Sequence, residues 1–159
     1  MCKQCGQREQ PGMTYAEHLA RVRETVLRDG WTMLSVGRER TRPPWSHTVG
    51  LTEMGLPELV VTGLPEDEAT ELLVSVGSHT IHDEAPEPGE RIPLRGLPEI
   101  EIVEVADPSA QLITAVDLYG SRVRALQLVH SDDRGNWPWE PGFRGVRGGQ
   151  PVLGVRARA

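Results

Sequence analysis

Residues Pro43 to Pro65 read PPWSHTVGLTEMGLPELVVTGLP, and the rest of the chain is organised around them. Two β-prone runs, Trp45 to Glu53 and Glu58 to Leu64, lie on either side of the turn-forming tetrapeptide Met54-Gly55-Leu56-Pro57. A connection this short does not allow a parallel crossover, so the runs are expected to pair as antiparallel strands. Acidic residues follow Pro65, as is typical of a helix start. The stretch therefore predicts a strand, turn, strand, helix unit.

The first run has different chemistry on its two faces, because successive side chains of a strand point in opposite directions. One face is apolar apart from His47, and the other carries small hydroxyl groups interrupted by a glycine: Ser46, Thr48, Gly50 and Thr52. Glycine inside a strand usually marks a bulge or a close approach by another group. Two interpretations stay open for this hydroxyl face: a planar or phosphate-bearing ligand binds there, or a helix packs closely on it.

The rest of the chain predicts an α+β fold with a mainly antiparallel sheet of five or six strands and three helices. The helices are expected from Thr14 to Gly30, from Pro65 to Gly77 or His82, and from Asp107 to Gly120. The remaining strands are expected at Trp31 to Val36, at Glu99 to Ala106, which reads as half exposed, and at Arg122 to His130, with a short edge strand at Pro151 to Val155. We expect one domain over residues 14–155, a flexible segment at 1–13 and a basic tail at 156–159.

Composition excludes several classes of function. The chain has 159 residues and a net charge of -6, so the positive surface expected of a nucleic-acid-binding protein is missing. No apolar run approaches the roughly 20 residues that a membrane helix needs, and the N-terminus lacks the apolar core of a signal peptide. These features predict a cytoplasmic protein that binds neither nucleic acid nor membrane.

The sequence allows a zinc site. Cys2 and Cys5 have the spacing of half a tetrahedral site, and His79 and His82 would share one face of a helix. A second CxxC motif is absent from the sequence. The alternative, a flexible N-terminal segment without metal, is therefore preferred.

Four other side chains each have a structural and a functional interpretation. His47 is either a hydrogen-bonded core histidine or a base in contact with a ligand, since its ring titrates near neutrality. Gln127 lies inside an apolar run, so its amide either ties two elements together or meets a ligand. Trp137 and Trp139 belong to a long loop that is either anchored on the core or used as a ligand lid or partner surface.

Three segments together resemble a known family: YAEHL, the stretch from Pro43 to Pro65, and LQLVHSDDRGNWPWEPG followed by QPVLG. They resemble the bacterial family named domain of unknown function 4262 over nearly the whole chain. The resemblance implies no reaction, cofactor or catalytic residue. The order of helices and strands is also similar to that of split-barrel proteins that bind flavin at a dimer interface, and this analogy allows flavin as a cofactor and a homodimer as the assembly.

Two functional hypotheses follow. In the first, the protein binds a small molecule, with flavin as one candidate, in a pocket beside the hairpin of residues 45–64. The predicted ligand-binding residues are Ser46, His47, Thr48, Gly50, Thr52, Gln127, Trp137 and Trp139. In the second, the protein is a non-enzymatic interaction or regulatory module that uses the Trp137 and Trp139 loop. The first hypothesis loses its ground if a helix of the chain covers the hydroxyl face, and the second weakens if that face lines a cavity. Whether the protein is an enzyme stays open.

Overall fold

The computed structural model describes residues 12–37, 42–146 and 149–157. Its α-helices are α1 (Tyr15–Asp29), α2 (Glu66–His82), α3 (Pro108–Gln111) and α4 (Ile113–Tyr119). Its strands are β1 (Thr32–Val36), β2 (Trp45–Val49), β3 (Glu58–Thr62), β4 (Arg91–Ile92), β5 (Ile100–Glu104) and β6 (Ala125–His130). Two 3₁₀ helices, Leu51–Met54 and Gly120–Arg122, complete the set. The segment expected to be flexible at 1–13 lies almost entirely outside the described residues, so that expectation stays a prediction.

The six strands form one sheet in the order β1-β2-β3-β6-β5-β4. All neighbouring strands are antiparallel except β3 and β6, which run parallel. The predicted hairpin is present, with Trp45 opposite Thr62 and His47 opposite Val60. The α+β fold with a mainly antiparallel sheet is therefore confirmed. No pairing among the described strands closes the sheet into a barrel, so the split-barrel resemblance remains an analogy.

Helices cover both faces of the sheet. On one face, α2 packs on alternate residues of the central strands, including Leu59, Val61 and Leu126. On the other face, α1 and the α3–α4 region pack on Leu34, Val49 and further residues of β3 and β6. None of the described helices is both long enough and apolar enough to cross a membrane.

Helix α2 continues through Gly77 to His82, so the glycine does not end it. Its lack of a side chain has a packing reason, because a Cβ at Gly77 would lie 2.9 Å from Cη2 of Trp31. The indole of Trp31, just before β1, thus packs directly on the helix backbone. Glycine destabilises the interior of a helix, but at position 77 it allows the Trp31 ring to approach the backbone closely.

The third predicted helix is broken in two, which gives four α-helices where the sequence predicted three. The break is at Leu112, whose φ of -112° and ψ of 62° are not helical. The side chain of Asp107 makes no capping hydrogen bond to the backbone of α3. Its carboxylate accepts a hydrogen bond from the Ser109 hydroxyl instead, at 2.6 Å.

Strand β5 is more buried than its alternating sequence suggested. Ile100 to Val103 are all buried, including the charged residue Glu101. The expected edge strand at Pro151 to Val155 is not formed, since none of the described residues there has strand structure. That segment crosses the sheet instead, and we call residues Gln150 to Gly154 the C-terminal strap.

Candidate ligand site

Glu58, the first residue of β3, is a completely buried carboxylate. It accepts five hydrogen bonds from the end of β2, from Gly50 and from the start of the 3₁₀ helix. The donors are the Thr48 hydroxyl at 2.8 Å, the Thr52 hydroxyl at 2.5 Å, and the backbone N–H groups of Gly50 at 3.3 Å, Leu51 at 3.3 Å and Thr52 at 2.9 Å. Burial raises the pKa of Glu58, and the hydrogen bonds from Thr52, Thr48 and Gly50 oppose that rise.

This carboxylate explains why the first strand ends earlier than predicted. The sequence suggested a strand through Glu53, whereas β2 stops at Val49 and a 3₁₀ helix begins at Leu51. The first N–H groups of such a helix have no internal partner. Glu58 supplies that partner from the next strand, and its role was not foreseen from the sequence.

The hydroxyl groups of the predicted ligand face are engaged inside the protein. Thr48 and Thr52 donate to Glu58, and the Ser46 hydroxyl is 2.8 Å from that of Ser35. Ser46 lies opposite Val61, a residue of the cluster formed with α2, and α2 contacts both β2 and β3. A helix therefore covers this face, so the hypothesis of a pocket against these hydroxyl groups loses its ground.

Gly50 is approached closely by the backbone of this same chain. Its φ is 120°, and a Cβ at this position would lie 2.8 Å from Cα of Trp31 and 2.9 Å from the carbonyl oxygen of Gly30. Contacts this short leave no room for any side chain. The structure thus supplies a packing reason for this glycine, and a ligand is not needed to explain it.

His47 lies on the opposite face of β2 and is buried. Its Nδ1 is 3.0 Å from the carbonyl oxygen of Thr48. Burial lowers the pKa of His47, although the hydrogen bond to Thr48 favours the charged form. A neutral, hydrogen-bonded core histidine is the interpretation that this environment supports.

Gln127 ties β6 to the C-terminal strap. Its Nε2 donates to the carbonyl oxygen of Pro151 at 2.7 Å and to the Thr62 hydroxyl at 3.1 Å, and its Oε1 accepts from the N–H of Leu153 at 2.7 Å. The Thr62 hydroxyl itself donates to Pro151 at 2.9 Å. Of the two interpretations of this buried amide, the link between two elements is the one observed.

Gln150 fixes the start of the strap. Its side-chain amide pairs with the backbone of His130 as a neighbouring strand would, accepting from the N–H at 2.9 Å and donating to the carbonyl at 2.9 Å. The ring of His130 places Nε2 at 3.1 Å from the carbonyl oxygen of Thr62. Burial lowers the pKa of His130, so the neutral ring is favoured at this contact.

The tryptophan loop is anchored on the sheet. Trp137 is buried and stacks on Trp139, with ring centroids 5.5 Å apart. Arg91 lies over the first ring at 4.5 Å, and Arg156 lies over the second at 3.6 Å. Both guanidinium groups bond to Glu101, Arg91 at 3.0 Å and Arg156 at 2.7 Å. The structure supports the interpretation of a loop held on the core, because both rings already have partners within the fold.

A cleft lies beside the hairpin, on the face opposite the hydroxyl groups. Its volume is about 200 Å³, and its lining consists of Arg42, Pro43, Trp45, Val60, Thr62, Gln111, Pro151 and Leu153. Trp45 and Thr62 face each other across β2 and β3, and the strap supplies Pro151 and Leu153. Of the predicted ligand-binding residues, none lines this cleft, although Gln127 holds the strap that forms one of its walls.

A model of the family described as "Domain of unknown function (DUF4262)" matches residues 25–144. The chain belongs to this family. The match contains the hairpin, Glu58 and the tryptophan loop, and the DUF4262 region ends before the strap. No curated protein and no solved structure shows significant similarity to the chain.

The DUF4262 match also leaves out Cys2 and Cys5, two of the four predicted zinc ligands. Both cysteines lie outside the described residues. His79 and His82 are exposed near the end of α2, and His79 Nε2 lies 3.8 Å from the Asp83 carboxylate. Among the described residues, no group of three or more histidine, cysteine or acidic side chains could hold a metal ion. The zinc site therefore stays an untested prediction.

Proposed function

We propose that the protein binds a small organic molecule in the cleft beside the hairpin. The observation that carries this proposal is the lining: apolar side chains from two strands and the strap surround a few polar groups. Such a combination is typical of sites that recognise small ligands, because the apolar walls contribute binding energy and the polar groups fix orientation.

The volume limits the size of the ligand. Sites for drug-sized molecules usually measure about 300 to 1,000 Å³, whereas this cleft measures about 200 Å³. A compact molecule with one ring or a short branched chain fits that volume better than a whole flavin nucleotide. The proposed ligand is therefore smaller than the cofactor that the split-barrel analogy allowed.

The lining favours binding over catalysis. Among the described residues that line the cleft, none has a carboxylate, imidazole or thiol that could act as an acid, base or nucleophile. Thr62 has a hydroxyl group, but its hydrogen is donated to Pro151 and it accepts from Gln127. A binding protein is the simpler proposal.

The strap wall of the cleft is held by hydrogen bonds within the protein, which also supports this proposal. Gln127 and Thr62 hold Pro151, and Gln127 holds Leu153, so the strap is fixed before any ligand arrives. A site that is already formed loses little conformational entropy on binding.

A fragment screen by ligand-observed NMR tests the proposal. Gln111→Phe would fill the cleft, and Ala110→Phe is the matched control because Ala110 is exposed on the same short helix and does not line the cleft. We expect fragments that bind the native protein to bind Ala110→Phe equally and to lose about tenfold or more in affinity for Gln111→Phe. If the fragments bind all three proteins equally, their binding site lies outside the cleft and the proposal is refuted.

A further inference from the structure

We infer that the ligand of this cleft is an uncharged planar molecule with an amide group, which pairs with the side-chain amide of Gln111 while its ring packs against Trp45. This inference rests on the proposed function, since it names the class of molecule that would occupy the same cleft. It goes further because it assigns the charge of the ligand, its polar group and the residue that recognises that group.

Gln111 is the polar side chain of the lining whose hydrogen-bonding groups are not used by the fold. It is the last residue of α3, and it is partly exposed. In the part of the chain that the structure describes, its amide makes no hydrogen bond. Gln127 and Gln150, in contrast, use both the carbonyl and the NH₂ group of their side chains within the protein. Gln111 can therefore offer a ligand both an acceptor and a donor.

An amide is the ligand group that uses both ends of the Gln111 side chain together. In a primary amide or a lactam, an N–H and the carbonyl lie on the same side, so one donates to Oε1 and the other accepts from Nε2. The protein already contains a pairing of this kind, because the Gln150 side chain accepts from the N–H of His130 at 2.9 Å and donates to its carbonyl at 2.9 Å. A ketone, which only accepts, would use one end of Gln111 alone.

The other polar groups of the lining have partners within the protein, which favours a ligand without charge. The Thr62 hydroxyl donates to Pro151 and accepts from Gln127. The guanidinium carbon of Arg42 lies 5.3 Å from the centroid of the Trp45 ring, and Arg42 takes part in a further interaction of the protein. Among the described residues of the lining, a charged ligand group would thus lose its hydration without meeting an unengaged countercharge.

The apolar walls select the rest of the ligand. Val60 is a core residue of β3, and Leu153 is held in the strap by the bond from its N–H to Gln127. The indole of Trp45 adds an aromatic surface, against which a second ring can pack in an offset or edge-to-face arrangement. The volume of about 200 Å³ suits one ring with its amide. An aromatic or heteroaromatic amide with a single ring is therefore the class of ligand that matches this cleft.

Isothermal titration with benzamide and with acetophenone tests the inference, because acetophenone replaces the NH₂ group of benzamide by a methyl group of similar size. We expect the native protein to bind benzamide about threefold to tenfold more tightly, as one additional neutral hydrogen bond allows. Gln111→Leu should bring the two affinities close to each other. Ala110→Leu is the matched control, since Ala110 is exposed on the same helix and outside the cleft, and it should keep the preference. The melting temperature of each variant confirms that it is folded.

Four results would overturn the inference. Equal affinity of the native protein for benzamide and acetophenone, or no binding of benzamide, would remove the role of the amide. A preference for benzamide that survives Gln111→Leu would place the amide at another residue. Tighter binding of benzoate than of benzamide would contradict an uncharged ligand. Failure of the proposed function is distinguishable from all four, because it would appear in the fragment screen as ligands that bind Gln111→Phe and native protein equally.

Discussion

Two residues of the hairpin, Glu58 and Gly50, explain why its hydroxyl face is part of the core. The completely buried carboxylate of Glu58 accepts hydrogen bonds from the Thr48 and Thr52 hydroxyl groups and from the backbone N–H of Thr52. Burial of the charge opposes this arrangement, while the five donors favour it. The hydroxyl groups that the sequence suggested for a ligand therefore serve the turn.

Replacing Glu58 with glutamine tests how much this cluster contributes to stability. One carboxylate oxygen would become an amide nitrogen that faces hydrogen-bond donors, so at least one buried donor would lose its acceptor. We expect the free energy of unfolding, measured by urea titration, to fall by about 1 to 3 kcal/mol.

The control is Glu53→Gln, because Glu53 is exposed on the neighbouring 3₁₀ helix and should change stability by less than about 0.5 kcal/mol. Equal stability of the two variants would mean that the Glu58 cluster does not hold the turn.

Gly50 gives a second prediction at this scale. Gly50→Ala should lower the free energy of unfolding by about 3 kcal/mol or more, because it combines an unfavourable φ with a clash against the backbone of Gly30 and Trp31. Gly55→Ala is the matched control, since Gly55 has a φ of 74° but no atom within 4 Å of an added Cβ. It should lose only about 1 to 2 kcal/mol. Thermal or urea unfolding measures both, and similar losses would show that packing at Gly50 is not limiting.

At the scale of elements, the C-terminal strap and the tryptophan loop are held on the sheet by polar side chains. Gln127 and Thr62 fix the strap, and Glu101 joins Arg91 and Arg156 beside the stacked indoles. These contacts cover strands β5 and β6, which explains why β5 is buried despite its alternating sequence. The strap also forms one wall of the cleft, through Pro151 and Leu153.

Glu101 makes this arrangement sensitive to pH. Burial alone would raise the pKa of Glu101, but the hydrogen bonds from Arg156 and Arg91 outweigh burial and lower it below the ordinary value. A lowered pKa in the folded state contributes stability above the unfolded pKa of about 4.3, and that contribution is lost as the pH falls through the folded value. The native protein should therefore be more stable than Glu101→Gln at neutral pH, with a difference that shrinks on acidification.

Urea titrations at neutral pH and below pH 4 measure this difference. Glu99→Gln serves as the control, because Glu99 is exposed just before the same strand and its side chain should contribute little at either pH. A stability difference between native protein and Glu101→Gln that grows on acidification would contradict the assignment.

The sequence predicted the elements better than it predicted their contacts. Alternation and the short turn at Gly55 were enough to identify β2 and β3 and their antiparallel pairing, because both signals are local. The early end of β2 depends on Glu58, whose partners lie six to ten residues away in the chain, and no pattern in a strand reveals such a bond. The contact between Thr62 and Pro151 spans 89 residues and is still less visible. Contacts of this kind depend on how distant elements meet, which a single sequence does not encode locally.

The candidate site was beyond prediction for the same reason. Trp45 and Thr62 are adjacent in the predicted hairpin, but Gln111 comes from the short helix α3 and Leu153 from the strap, both distant in the chain. Gln127 was identified as a residue that ties elements or meets a ligand, and it ties the strap to β6. Its buried amide within an apolar run was the one signal that pointed towards this region.

At the scale of the whole molecule, the two faces of the single sheet have different surroundings. The α2 face is a packed core that includes the hydroxyl groups of β2, whereas the opposite face keeps a cleft between the hairpin, α3 and the strap. The proposed function therefore requires a small ligand to bind on the cleft face and not on the hydroxyl face.

An amide NMR titration with the tightest-binding fragment from the screen distinguishes the two faces. The shifted amide signals should cluster at Trp45, Thr62, Gln111 and Leu153, because these residues line the cleft, while those of Thr48 and Thr52 stay in place. Shifts centred on Thr48 and Thr52, or on the loop of Trp137 and Trp139, would contradict it.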